Sequence, residues 1–340
     1  MAINGDFRLK ADPENSPEEQ LNLFEADLRT RFTAMLAAVL DTPFAAAGAD
    51  AVDLDHARHV LVLKDLLAAT TRSGKAILSF EHEKVLPVSI DHDCLGFEEA
   101  LIRVRGESGN VVTPKKLFDA LSDPRFGAEL ASSFRLWLIF AAIRDFHAAP
   151  GRTMGLSVNI VPHDLDSPAY RESLERGLDL FEKCGYSPLI LEATEYDPWT
   201  PQRLSFLKDT VKKYRLAVAI DDYGAPEGYN QAKTLADFAE GMAPGSLIVK
   251  VDGQVVMNFL QNKNMDLIDR LREIKALCPS AIVIAEWVPS IKDTRLLLDR
   301  LRPYGLDDLI GLVQSSALQN ETPSTFLRKM DLPENNAGPA

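Results

Sequence analysis

Apolar side chains recur at steps of three or four through Leu21, Phe24, Leu28, Phe32, Met35 and Val39, the stripe of an amphipathic helix. Its start is marked by Ser16-Pro17-Glu18-Glu19, which supplies a capping hydroxyl, a proline at the first helical position and a glutamate at the third. The stripe ends near Asp41 and Pro43. A second stripe, Leu54, Val60, Leu63 and Leu67, predicts a helix over 53–70, with the Ala- and Gly-rich segment 45–50 as connector. Residues 1–80 therefore read as a helical hairpin that either packs on the main domain or serves as a dimerisation or signal-input element. From about residue 85 the pattern changes to short β-rich runs at 86–90, 100–104, 155–160, 189–194, 216–221, 247–252, 281–286 and 309–314. Helical patterns over 126–148, 170–184, 200–214, 231–241, 263–277 and 291–301 lie between them. Eight strands alternating with helices over about 245 residues predict an α/β fold, a TIM-type (β/α)8 barrel within residues 81–330. The polar segment 331–340, rich in Pro, Gly and Asn, reads as a disordered tail.

Composition narrows the partners. With 340 residues, 46% of them hydrophobic, the chain can build one large domain with an appendage, or two domains. Fifty acidic against 37 basic side chains give a formal charge of −13, which argues against binding DNA, RNA or an anionic membrane through net charge. Three widely spaced cysteines, Cys94, Cys184 and Cys278, suggest neither a disulfide framework nor a cysteine zinc site. With no apolar leader and no run of about 18 apolar residues, the expected location is the cytoplasm, without a membrane span.

Each internal β-run ends in polar residues that a purely structural strand rarely carries: Asn159, Glu192 with Glu195, Asp221 with Asp222, Lys250 with Asp252, Glu286 and Gln314. From Asn159 to Gln314 the successive positions 159, 192, 221, 250, 286 and 314 stand 28–36 residues apart, close to one βα unit each. Taken singly, a carboxylate at a strand end is more often a helix cap or a loop ion pair. In a closed barrel, however, these ends share the rim where active sites lie. Glu99, Glu192, Asp221, Asp222 and Glu286 in one pocket would raise one another's pKa values unless cations were bound. Oxygen donors with the Asn159 amide and no clustered histidine select hard ions, Mg²⁺, Mn²⁺ or Ca²⁺, over zinc. Two such ions form a clamp suited to displacement at phosphorus, with Lys250 positioning water or steadying phosphoryl charge. Two other barrel chemistries compete: a Schiff-base aldolase using Lys250, and an enolase-like site using the acids.

At these residues the chain resembles the EAL-domain phosphodiesterases, which hydrolyse the bacterial second messenger cyclic di-GMP. The resemblance spans about residues 85–328. The triplet is Glu99-Ala100-Leu101, followed by Arg103; Asn159-Ile160-Val161-Pro162 resembles Asn-x-x-Pro, and Glu192-Ala193-Thr194-Glu195 resembles Glu-x-Thr-Glu. Asp221-Asp222-Tyr223-Gly224 is similar to Asp-Asp-Phe-Gly, Lys250-Val251-Asp252 to Lys-x-Asp, Ala285-Glu286 to the Ala-Glu pair, and Gln314 to the closing glutamine. The resemblance implies an EAL-like barrel whose first strand can run antiparallel. It implies one ion held by Glu99, Asn159, Glu192 and Asp221, and a second by Asp221 and Asp222, with Glu286 beside it. Lys250 and Glu286 belong to the catalytic group, together with Glu195, which organises the loop after Asp222. Leu101, Arg103 and Gln314 would contact the substrate. The implied reaction is hydrolysis of cyclic di-GMP to linear pGpG by two-metal activation of water, with Mg²⁺ or Mn²⁺ as the working ions and Ca²⁺ inhibitory. A homodimer is also implied, and the N-terminal helices offer a place for a protein partner. The alternative is a catalytically degenerate EAL domain acting as a cyclic di-GMP receptor or protein-interaction module.

Several positions depart from the family pattern. The loop Gly224–Gln231 is about two residues longer than usual and carries the additional carboxylate Glu227, so regulation or metal affinity should differ. The family's Gly-Val-Glu after Glu286 is replaced by Trp287-Val288-Pro289, Ser315 stands where glycine is usual, and one extra residue separates Gly96 from Glu99. Trp137, in an apolar helix, is expected in the core, and for Trp287 packing is preferred over base stacking. The six histidines lack ligand spacing, and His163 reads as a loop residue.

Overall fold

The computed structural model describes residues 15–41, 54–89, 96–150, 152, 154–186, 188–226, 228–262 and 264–331. The connector 45–50, Cys94, Glu227 and residues 332–340 of the expected tail lie outside them. The elements are α1 (Pro17–Asp41), α2 (Leu54–Thr71), β1 (Ile77–Pro87), β2 (Phe97–Arg105), β3 (Val111–Val112), α3 (Pro114–Leu121), α4 (Ala128–Ala148), β4 (Gly155–Ile160), α5 (Pro168–Cys184), β5 (Leu189–Ala193) and α6 (Pro201–Tyr214). They continue with β6 (Ala217–Tyr223), α7 (Ala232–Ala239), β7 (Leu247–Val251), α8 (Gly253–Asn262), α9 (Asp266–Leu277), β8 (Ile282–Ala285), α10 (Ile291–Leu301), β9 (Ile310–Gln314) and α11 (Pro323–Asp331).

The sheet runs β1-β9-β8-β7-β6-β5-β4-β2-β3, and an additional β1–β2 pairing closes it into an eight-stranded mixed barrel with helices. Strands β2 and β4 through β9 are parallel to their neighbours, whereas β1 pairs antiparallel with β9, as the resemblance allowed. The two-residue β3 is an antiparallel addition to β2. Strand β1 begins at Ile77, well before the expected 86, because its short apolar stretch Ile77–Phe80 is partly exposed and gives way to the polar Glu81-His82-Glu83-Lys84. Three further helices escaped the sequence pattern: α3, α8 and α11. In α8 the β-branched Val255 and Val256 obscure the helical signal, while Asp252 caps its start by accepting from Val255 N–H at 3.1 Å.

The chain divides into two compact units. The first contains the described residues of Met1–Glu81, Leu101–Pro150 and Ser167–Tyr186. Here the Ser16 capping box forms as the sequence requires: Glu19 N–H donates to Ser16 Oγ, and Ser16 N–H donates to Glu19 Oε2. Helix α1 packs against α2, α4 and α5, and α2 against α3. Phe24 meets the Phe140 ring edge-on at 5.1 Å, and Phe32 stacks on Trp137 at 5.7 Å. Phe32 and Leu36 are fully buried, each burial contributing on the order of 2 kcal/mol. Glycine at position 177 of α5 is a packing requirement, since a Cβ would stand 2.0 Å from the Phe140 ring.

A charge also sits in this helical core. Glu25 is fully buried and accepts from Trp137 Nε1 at 2.6 Å and from the Arg144 guanidinium. Glu25→Ala would leave the indole N–H and the half-exposed guanidinium without their acceptor. It is expected to cost about 2 kcal/mol, read as a lower urea midpoint at an unchanged slope. An unchanged midpoint would contradict this role.

The second unit contains the described residues of His82–Ala100, Gly151–Asp166 and Ser187–Ala340. Val85, Phe97, Ile190, Ala219, Ile248, Ile284 and Leu312 form one buried apolar layer inside the barrel. Because strand side chains repeat every two residues, the next inward position on each strand is fixed by this layer.

Candidate active site at the C-terminal rim of the barrel

Two residues beyond six members of the apolar layer stand six site residues. Phe97 leads to Glu99, Ile190 to Glu192, Ala219 to Asp221, Ile248 to Lys250, Ile284 to Glu286 and Leu312 to Gln314. The interior therefore changes from hydrocarbon to ionic side chains in one step, at the end where the parallel strands finish. Lys250, 2% exposed, is the hub. Its Nζ lies 2.7 Å from Asp221 Oδ1, 3.0 Å from Glu192 Oε2, 3.1 Å from Glu286 Oε1 and 3.3 Å from Glu99 Oε2. Glu99 Oε2 also accepts from Gln314 Nε2 at 2.6 Å.

Asn159 is exposed at the end of β4, in register with Glu192. The adjacent acids Asp221 and Asp222 would point to opposite faces of a regular strand. Here the β6–β7 register shifts between Ile220 and Tyr223, and Asp222 takes a left-handed φ of 46°. This local distortion lets carboxylate oxygens of Asp221, Asp222 and Glu195 lie within 4.8 Å of one another. Glu195 also holds the following loop, its carbonyl accepting from Tyr229 N–H at 3.0 Å.

The crowding shifts proton affinities. Burial, followed by the Glu99 charge, pushes Glu192 up to about 8 despite Lys250. Burial, then Asp221 and Glu195, pushes Asp222 up to about 7. Glu195 rises through burial chiefly, and Glu286 lies well above the usual carboxylate range because burial and the neighbouring acids outweigh Lys250. For Lys250 burial alone would lower the pKa, but Asp221, Glu192, Glu286 and Glu99 together raise it well above its ordinary value. The ammonium is therefore the favoured form at neutral pH.

Two supporting residues were missed by the sequence reading. Fully buried Ser157 donates to Glu192 Oε1 at 2.5 Å; its place two residues before Asn159 on the same strand was the available signal. Fully buried Asn230 donates to the carbonyls of Ala193 and Asp221, tying the lengthened loop to the ends of β5 and β6. Arg103 and half-buried Leu101 fall in the first unit. Arg103 pairs there with Glu81 at 2.6 Å. Asp252, grouped with the rim acids by sequence, serves as the α8 cap. Trp137 is buried, as expected of a core residue, and Trp199 is buried too, but Trp287 is 55% exposed and its assignment to packing is corrected. His163 Nδ1 lies 2.5 Å from Asp197 Oδ2.

The donor set fits divalent cations. It is all oxygen, Glu192 and Asp222 hold protons unusually tightly unless a cation is present, and buried Gln314 Oε1 accepts no hydrogen bond. Fold and rim together define a TIM-type barrel with a lysine-centred acidic site. A sequence model of the EAL domain family matches residues 87–303, and the chain belongs to the EAL domain family. The EAL domain of FimX from Pseudomonas aeruginosa, solved bound to c-di-GMP, is similar at 19% identity over 76% of this chain and 95% of that one, with a TM-score of 0.55. The FimX EAL domain of Xanthomonas citri in complex with c-diGMP is similar at 17% identity over 80% and 97%, with a TM-score of 0.56. BlrP1 of Klebsiella pneumoniae, in a manganese and cy-diGMP complex, is similar at 21% identity over 71% of this chain and 59% of that one, with a TM-score of 0.51. No curated protein matches the sequence. Among the described residues, no helix is long and apolar enough to cross a membrane.

Proposed function

We propose that the chain is a divalent-metal-dependent phosphodiesterase that opens cyclic di-GMP to linear pGpG. The observation that carries this reading is the meeting of Glu99, Glu192, Asp221 and Glu286 on the single buried ammonium of Lys250. Membership of the EAL family and the ligands named for FimX and BlrP1 support the choice of substrate. Glu99, Asn159, Glu192 and Asp221 would hold one Mg²⁺ or Mn²⁺, and Asp221 with Asp222 a second, beside Glu286. Bound ions supply Lewis-acid polarisation of the phosphodiester and activation of water.

The protein's own residues do the rest. Lys250 holds the carboxylates together and keeps a fixed positive charge facing the phosphoryl oxygens. Gln314 and Ser157 orient Glu99 and Glu192, so that little reorganisation accompanies reaction. Glu195 and Asn230 hold the loop after Asp222. Arg103 and Leu101 are assigned to substrate contacts in the same proposal, as is Gln314. A homodimer, and a protein partner at the N-terminal helices, complete it.

Incubating the purified chain with cyclic di-GMP and Mn²⁺ or Mg²⁺ is expected to release pGpG, detected by chromatography, and chelation or Ca²⁺ is expected to stop release. Tight binding in Ca²⁺ without product under Mn²⁺ would replace the enzyme by a cyclic di-GMP receptor. Neither binding nor product would sink the reading.

A further inference from the structure

Trp287 follows Glu286 directly and adopts a left-handed φ of 56°, a conformation that glycine takes freely and a bulky side chain adopts only under strain. The conformation is imposed from both sides, since Glu286 N–H donates to the Val251 carbonyl and Val288 N–H to the Gln314 carbonyl. The strain does not bury the ring. The residue is 55% exposed, against 3% for Trp137 and 7% for Trp199. One side of the indole lies on Gly253, at the β7–α8 turn, where an added Cβ would stand 2.2 Å from the ring carbon Cδ2. Gly253 is thus a notch that admits the ring, and the residue is the immediate chain neighbour of Glu286, whose carboxylate is 3.1 Å from Lys250.

A strained, exposed, one-side-supported aromatic ring at a phosphodiester site offers what a nucleobase needs: a flat apolar face next to charges that take the phosphate. We propose that Trp287 is a stacking platform for a purine ring of the bound cyclic dinucleotide, seated by Gly253. This rests on the function proposed above and adds a residue that contributes affinity for the bases of the substrate. Stacking works without hydrogen-bond readout of the base, so Trp287 contributes affinity for purines generally, and the phosphodiester is recognised separately at the rim.

The test is binding of cyclic di-GMP in Ca²⁺ by the wild type, Trp287→Gly and Trp287→Phe, followed by calorimetry and thermal melting. Wild-type binding should quench indole emission, because Trp287 is the exposed one of three tryptophans. Trp287→Gly should weaken binding about tenfold. Its melting temperature should equal or exceed that of the wild type, since the left-handed strain is gone. Trp287→Phe should retain binding within about threefold. Equal binding by Trp287→Gly and the wild type would overturn the stacking role while leaving the proposed function standing. A joint loss of stability and binding would overturn it in favour of a structural role. Absence of binding by the wild type would remove the proposed function and this inference together.

Discussion

Lys250→Met is expected to reduce Mn²⁺-dependent release of pGpG by about 10³-fold or more while the chain still folds at acidic pH. Methionine keeps most of the apolar stem of a side chain that is only 2% exposed, so the change removes charge more than volume. The lost ammonium is the partner of Asp221, Glu192, Glu286 and Glu99, and a fixed charge aimed where phosphoryl charge grows is worth about 10²–10³ in rate. Loosening of the four carboxylates adds to that loss. Without a divalent ion the buried acids also lose their compensation, a cost of about 3–5 kcal/mol at pH 8 for breaking a buried ion pair. The checks are product formation with Mn²⁺ and urea midpoints in chelator. Turnover within tenfold of the wild type would show that Lys250 is not part of the reacting site.

In chelator, the wild type is expected to lose stability steadily as the pH rises from about 5 to 8, and added Mg²⁺ or Mn²⁺ should restore it most at the alkaline end. The sign follows from Glu192 and Asp222. Glu192, ordinarily near 4.5, is pushed up to about 8 by burial and the Glu99 charge; Asp222, ordinarily near 3.8, is pushed up to about 7 by burial and Asp221. Below the lower values both folded and unfolded chains hold these protons, and no stability is lost. Between about 4.5 and 8 for Glu192, and between about 3.8 and 7 for Asp222, the folded chain holds protons that the unfolded chain has released. Stability therefore falls with pH through those windows, at up to about 1.4 kcal/mol per pH unit for each group. Divalent ions bind the ionised acids, so their stabilisation must grow over the same range. Melting temperatures at several pH values, with chelator and with Mg²⁺, provide the measurement. A metal-induced rise as large at pH 5 as at pH 8 would contradict the buried acidic cluster.

Much of this architecture was legible in order along the chain. The apolar runs marked every parallel strand from β4 to β9, and the Ser16–Glu19 capping pattern marked the start of α1, because both depend on side chains a few residues apart. The site residues were legible for a related reason: Glu192, Asp221, Lys250, Glu286 and Gln314 sit where hydrophobic runs stop, and barrel closure gathers strand ends. Local pattern was silent where a feature depends on contacts remote in sequence. Glu25 on α1 looks like an ordinary helical acid until Trp137 and Arg144 enclose it. The first half of β1 ends in the polar Glu81-His82-Glu83-Lys84, which breaks the apolar signal, so its place in the sheet defines it. Arg103 reads as a substrate contact, and its salt bridge with Glu81 becomes visible only when β1 and β2 are folded.

By itself the sequence determined the strand and helix rhythm, the family, and which acids and lysine end the strands, since each is written in local periodicity or short motifs. Only the tertiary structure decided that one ammonium binds four carboxylates, that a register shift and a left-handed Asp222 bring neighbouring acids to one side, and that Trp287 faces water above Gly253. Those outcomes depend on distances between side chains up to 187 positions apart (99 to 286) and on backbone conformations imposed by the closed sheet. Neither is encoded in the spacing of residues along a strand.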